Sequence, residues 1–148
     1  MKNRILFIFL IIAASATAQG KRDFPPFEEL IERKWQEIST KANLTEDEKK
    51  AVYPIFIEYE NSVFALNKTL WDTFKHVKAS KEKSENINFA EINEVYINNE
   101  IKLAALLKNY HEKLKKVLSP ETLFNYYMAE RSFKKGLMQK MPNKSNIK

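Results

Sequence analysis

The two histidines, His76 and His111, are the side chains best suited to bind a metal ion, because the chain contains no cysteine. A protein zinc site needs three or four ligands at about 2 Å. In an antiparallel helical hairpin that turns near Ser84, His76 lies opposite residues close to Ile92 and far from His111. We therefore expect two solvated surface histidines, no metal site and no cofactor.

The carboxylates do not form a pattern typical of acid–base catalysis. Such catalysis uses acids whose surroundings push their pKa values apart, but the acids here stand among lysines, as Glu112 does between His111 and Lys113. Serine and threonine mostly stand where helices begin, and no nucleophile–histidine–acid signature is present. We expect no catalytic residues and a protein that is not an enzyme.

A stripe of large apolar side chains is the remaining candidate for a functional surface. It lies on the long second helix, about 100° around from the core-facing seam of that helix. A helix in a two-layer hairpin needs one core stripe. The second stripe is therefore either core or dimer interface, or an exposed surface for a partner protein or unfolded clients. The residues are Tyr53, Ile57, Phe64, Trp71 and Phe74.

The N-terminal segment has the layout of a secretory signal peptide. Lys2 and Arg4 precede the unbroken apolar run 5–14, which is shorter than the roughly 20 residues needed to span a bilayer. An uncleaved anchor is the alternative, and the missing cysteine excludes a lipoprotein anchor. We expect residues 1–18 to be cleaved, so that the mature chain is secreted into the periplasm.

The mature chain is predicted to comprise an extension over residues 19–26, one all-helical domain over 27–141 and a disordered tail over 142–148.

The formal net charge is +6, and two of those charges belong to the signal peptide. The remaining excess is mild and does not indicate nucleic-acid binding. The basic C-terminus is either a solubilising tail or a weak contact with an anionic membrane surface. Its lysines are Lys134, Lys135, Lys140, Lys144 and Lys148.

Apolar side chains at spacings of three and four predict four helices. The first follows Pro25-Pro26 and ends near Asn43. The second begins at a capping box formed by Thr45 and Glu48, contains Pro54, which should bend it, and runs to about Ala79.

A polar loop over 80–86 leads to the third helix, which begins at the N-cap Asn88 and ends near Val117. Asn99 interrupts its apolar seam. Ser119 and Pro120 begin the fourth helix as N-cap and first helical residue. The prediction is an all-α, hooked antiparallel hairpin of two long and two short helices. Because so thin a layer buries little core, we expect a homodimer.

Two copies of one local pattern precede the second and fourth helices: Leu44-Thr45-Glu46-Asp47-Glu48 and Leu118-Ser119-Pro120-Glu121-Thr122. They resemble the LTxxQ motifs of the Spy/CpxP family of periplasmic proteins. Stretches 43–45, 53–60 and 129–135 look closer to small secreted proteins of Bacteroidota-type bacteria that are described as sensors of extracytoplasmic-function sigma factors. The similarity covers about residues 27–140. The chain departs from the motif at its fifth residue, where the family has Gln.

The resemblance implies a hooked protomer that dimerises into a cradle and holds unfolded proteins without ATP. It also implies a role in envelope-stress signalling linked to a sigma factor. We therefore expect an ATP-independent periplasmic chaperone or stress sensor. The alternatives are a metal-responsive regulator and a passive scaffold for one dedicated membrane partner.

Overall fold

The computed structural model describes residues 26–83 and 85–139. The predicted signal peptide, nearly all of the N-terminal extension and the C-terminal tail lie outside these ranges. Within them the chain is all helical and contains no strand. This confirms the predicted all-α hairpin of four helices. The helices are α1 Phe27–Lys41, α2 Glu46–Glu82, α3 Phe89–Leu114 and α4 Pro120–Gln139.

Local hydrogen bonds explain where the helices begin. The Thr45 hydroxyl accepts the amide of Glu48, and the Glu48 carboxylate accepts the amide of Thr45 at 2.8 Å, which confirms the capping box. The Asn88 side chain accepts the amide of Glu91 at 3.2 Å. These bonds satisfy amides that have no partner inside a helix.

The two motif copies have the same local role. Leu44 and Leu118 are both buried in the core, while the residue after each accepts a hydrogen bond at a helix start. At the second copy the Ser119 hydroxyl accepts the amide of Thr122 at 3.1 Å. Each motif therefore fixes a buried leucine next to an N-cap.

Two helix ends differ from the prediction. Helix α2 continues without interruption through Pro54 and ends at Glu82 rather than near Ala79. Ser80, placed by the sequence in the loop, is buried and donates a hydrogen bond to Glu85 at 2.7 Å. Helix α3 ends at Leu114, three residues before the predicted end.

The helices form a long hairpin that is covered at one end. Helices α2 and α3 pair with each other, and α1 packs most extensively against α4. The Tyr59 and Tyr110 rings stack at 4.1 Å between α2 and α3, and Asn99 is buried in the same seam. The main core lies where all four helices meet, and it includes Ile38, Val52, Phe56, Leu114 and Tyr126. The helices described here contain no stretch long and apolar enough to cross a membrane.

Candidate protein-binding surface and buried ionic cluster

Helix α1 lies antiparallel along the first half of α2. Trp35 packs edge-on against Tyr53 at 5.2 Å, and Phe27, the first residue of α1, stacks on Phe64 at 4.1 Å. Residues 7 or 11 positions apart return to the same face of an α-helix. The face of α2 that carries Tyr53 and Phe64 therefore continues to Trp71, two turns beyond the start of α1.

The predicted stripe is thus divided into two groups. Tyr53 contacts Trp35 and donates a hydrogen bond to Glu32 at 3.1 Å, and Ile57 packs against the core cluster. These two side chains help to attach α1 to α2. Phe64, Trp71 and Phe74 instead lie at and beyond the N-terminus of α1, on the part of the hairpin that projects from the four-helix end.

One of these three side chains, Phe74, packs against a fourth aromatic residue, which belongs to α3. The Phe74 and Tyr96 rings pack at a centroid distance of 6.4 Å. Phe64, Phe74 and Tyr96 keep 45%, 37% and 43% of their surface exposed, and Trp71 is half-buried. We call the set Phe64, Trp71, Phe74 and Tyr96 the arm aromatic surface. It offers four large aromatic rings, a side-chain type that is enriched at protein-binding sites.

Sequence reasoning missed several exposed apolar residues of α3. It did not single out Tyr96, Ile97 or Ile101 as surface residues, although these side chains are 43%, 52% and 61% exposed. The spacing of four residues between the two isoleucines, away from the seam residues Asn99 and Leu103, was the available signal. These isoleucines lie on the side of α3 that faces away from α2.

A group of charged side chains lies beneath α1. The Lys34 ammonium donates to Glu60 of α2 at 2.5 Å and lies 3.7 Å from Glu130 of α4. The second distance is an ion-pair contact but too long for a hydrogen bond. The side chains of Lys34 and Glu130 are each 8% exposed. We call Lys34, Glu60 and Glu130 the ionic cluster; it joins three helices.

The ionic cluster holds two carboxylates against one ammonium group. Burial raises the pKa of Glu130, and the attraction of Lys34 and Lys134 only partly opposes this. Burial alone would lower the pKa of Lys34, but Glu60 and Glu130 outweigh it and raise that pKa. Lys34 therefore stays charged, whereas Glu130 favours its protonated form more than an exposed glutamate does.

Tyrosines surround this cluster. The hydroxyls of Tyr110 and Tyr126 share a hydrogen bond of 2.6 Å. Burial, and then the nearby Glu130 charge, raise the pKa of both tyrosines well above the ordinary value. The same causes raise the pKa of Tyr127 to about 12. All these hydroxyls remain protonated at neutral pH and can act as donors.

Two expectations about chemistry-bearing residues were wrong. The sequence indicated acids that stand among lysines without pairing, yet Glu60 and Glu130 share one ammonium group between three helices. His111 is not a freely solvated histidine, because it is half-buried and its Nδ1 is hydrogen-bonded to Tyr127 at 2.8 Å. His76 is exposed. Among the described residues no group of three or more potential ligands could hold a metal ion.

The shifted pKa of Glu130 predicts how stability depends on pH. Because this pKa is higher in the folded chain than in the unfolded chain, protonated Glu130 stabilises the fold. That contribution is complete below the unfolded pKa of about 4.3 and is lost as the pH rises through the folded value. Glu130→Gln, which mimics the protonated acid, should gain stability relative to the natural chain as the pH rises.

Urea unfolding of both chains between pH 4 and pH 8 measures this difference. The charged groups that act on Glu130 are Lys34 of α1, Glu60 of α2 and Lys134 of α4 itself, and they are unchanged in the variant. A difference in unfolding free energy that stays constant across this range would show that Glu130 does not titrate as described.

Comparison with known proteins found no family model, no curated protein and no solved structure that matches this chain.

Proposed function

We propose that this chain is a periplasmic, non-catalytic protein-binding protein: an ATP-independent chaperone or an envelope-stress sensor linked to an extracytoplasmic-function sigma factor. The observation that carries the proposal is the arm aromatic surface. Three of its rings are more than one-third exposed on a hairpin of two regular helices. Exposed aromatic clusters of this kind are typical of surfaces that bind other proteins.

The chemistry of the surface suits unfolded clients. Its rings are flanked on α2 by exposed charged residues of both signs, including Lys68, Asp72 and Lys75. Aromatic rings supply apolar contact that does not depend on the client's sequence, while the charges keep the empty surface soluble. Binding of this kind needs no nucleotide, and it is weak enough per contact to release a client that buries its own apolar residues.

The ionic cluster supports a non-catalytic function. Its lysine and Glu130 are almost completely enclosed by the helices that they join, so a substrate could not reach them without separating α1 from α4. The contacts that these side chains make link three helices, and this structural role is enough to explain why the charged residues are there. We therefore assign the cluster to the framework rather than to a reaction.

A homodimer is part of the proposal. The arm segment of α2, residues 63–83, carries five lysines and two acids, whereas residues 85–105 carry four acids and one lysine. Two copies can therefore pair with the basic segment of one against the acidic segment of the other. Such pairing would cover the projecting part of the α2–α3 hairpin with a second layer of helices.

The direct test is the aggregation of a chemically denatured model protein diluted with and without the purified chain, in the absence of ATP. We expect suppression at near-stoichiometric ratio, and a loss of at least half of it for Phe64→Ser/Trp71→Ser. Ile101→Ser is the matched control, since Ile101 is 61% exposed but lies outside the arm aromatic surface. Circular dichroism and sedimentation equilibrium establish that every variant is folded and has the same oligomeric state.

The outcomes separate the candidate functions. Unchanged suppression by the double variant would refute the assigned surface. No suppression by a folded natural chain, together with recovery of one envelope protein in a pull-down, would favour the scaffold for a dedicated partner. Heat on calorimetric titration with zinc, copper or nickel would favour the metal-responsive regulator, whereas a flat titration would dispose of it.

A further inference from the structure

The outward face of α4 combines apolar and basic side chains. Phe124, Met128, Arg131, Lys135 and Met138 follow one another at spacings of 4, 3, 4 and 3 residues, which places them on one side of the helix. All five are exposed, and Phe124, Met128 and Met138 keep 60%, 43% and 43% of their surface. The opposite side of α4 carries the buried residues that pack against α1 and the core. We call these five residues the α4 outer face.

The net positive charge of the sequence is concentrated at its C-terminal end. Residues 131–148 contain six lysines and arginines and no acid, and the formal net charge of the chain is +6. The preceding 130 residues are therefore electrically balanced. On α4 the only acids are Glu121 in the first turn and the buried Glu130. The α4 outer face thus lies at the N-terminal edge of the one strongly basic part of the sequence.

We propose that the α4 outer face binds an anionic phospholipid surface. Lysine and arginine near such a surface are attracted to lipid phosphates, and their apolar stems can lie along the acyl boundary. A phenylalanine and two methionines on the same face can enter the apolar layer beneath the head groups. A nucleic acid offers phosphates without an apolar layer beneath them, so three exposed apolar side chains out of five favour the membrane.

The orientation follows from the fold. The α4 outer face points away from α1, whereas the arm aromatic surface lies on α2 and α3. A protomer attached through α4 would keep its arm available to proteins. The membrane contact does not depend on what the arm binds, and either assignment can fail without the other.

The test is co-sedimentation of the mature chain, purified after export, with phosphatidylglycerol-containing vesicles and with pure phosphatidylcholine vesicles at low ionic strength. We expect binding to the anionic vesicles only, and release by 0.5 M salt because the attraction is screened. Arg131→Gln/Lys135→Gln should weaken binding about 25-fold, since each charge contributes roughly fivefold. Lys50→Gln/Lys108→Gln removes the same charge from exposed positions of α2 and α3 outside the proposed dimer interface, and it should weaken binding much less.

Phe124→Ser provides a second, independent variant. It should weaken binding several-fold while leaving the salt dependence unchanged, because it removes apolar contact and no charge. Equal losses for the α4 charge variant and for its control, Lys50→Gln/Lys108→Gln, would overturn the proposal. Equal binding to both kinds of vesicle, or no binding to anionic vesicles, would also overturn it. Tighter binding to double-stranded DNA than to anionic vesicles would identify a general polyanion site and would also overturn it.

Discussion

Replacing Lys34 with methionine is expected to lower the free energy of unfolding by about 3–5 kcal/mol, the usual cost of leaving a buried charge without its partner. Methionine has nearly the length of the lysine stem, so the packing against Phe56, over which the ammonium lies at 5.5 Å, is largely retained. What disappears is the ammonium group between Glu60 and Glu130. Urea denaturation followed by circular dichroism measures the change.

Two further variants isolate the cause of that loss. Lys68→Met removes an exposed lysine that pairs with Asp72 at 3.1 Å, and it should change stability by less than about 1 kcal/mol. Adding Glu60→Gln and Glu130→Gln to Lys34→Met removes the unpartnered charges and should recover part of the loss. If the triple variant is no more stable than Lys34→Met, the loss comes from packing and the electrostatic explanation is wrong.

A comparable loss of about 3–5 kcal/mol is expected for Phe56→Ala, because it removes a fully buried ring and leaves a cavity. Phe56 packs against Trp35 at 5.3 Å and belongs to the core cluster at the four-helix end. Thermal and urea unfolding give the size of the effect. In this variant α1 should detach from the other helices more readily than α2 separates from α3, because the Phe56 ring lies beneath α1.

Phe124→Ala is the matched control for this core substitution. The same chemical change at a ring that is 60% exposed should alter stability by no more than about 0.5 kcal/mol. Hydrogen exchange of α1 amides, compared with those of α3, reports on the local part of the prediction. Similar losses for the two phenylalanine variants would contradict the assigned core.

The parts of the fold that depend on local chemistry were predictable from the sequence. The capping box at Thr45, the N-cap at Asn88 and the start of α4 at Pro120 all rest on side chains within one helical turn of each other. The end of α2 was less predictable. The hydrogen bond of Ser80 to Glu85 extends the helix into a stretch whose composition is typical of a loop.

The ionic cluster could not be predicted in the same way. Lys34, Glu60 and Glu130 belong to three helices, and each stands in a sequence context where charged residues usually face solvent. Only the packing of α1 between α2 and α4 makes them neighbours. The division of the aromatic stripe has the same origin, since identical spacing along α2 continues on both sides of the point where α1 begins.

The pairing of α1 with α4 has a consequence for the order in which the molecule assembles. The first helix makes its most extensive contact with the last helix, which also supplies Glu130, one of the two carboxylates around Lys34. A chain that emerges from a ribosome or a translocation pore N-terminus first must therefore hold α1 without that partner until nearly a hundred further residues have followed. The α2–α3 hairpin can form earlier, because its contacts join residues that are closer along the chain. Folding should thus begin with the hairpin and finish with the closure of α1 and α4 around their shared charges.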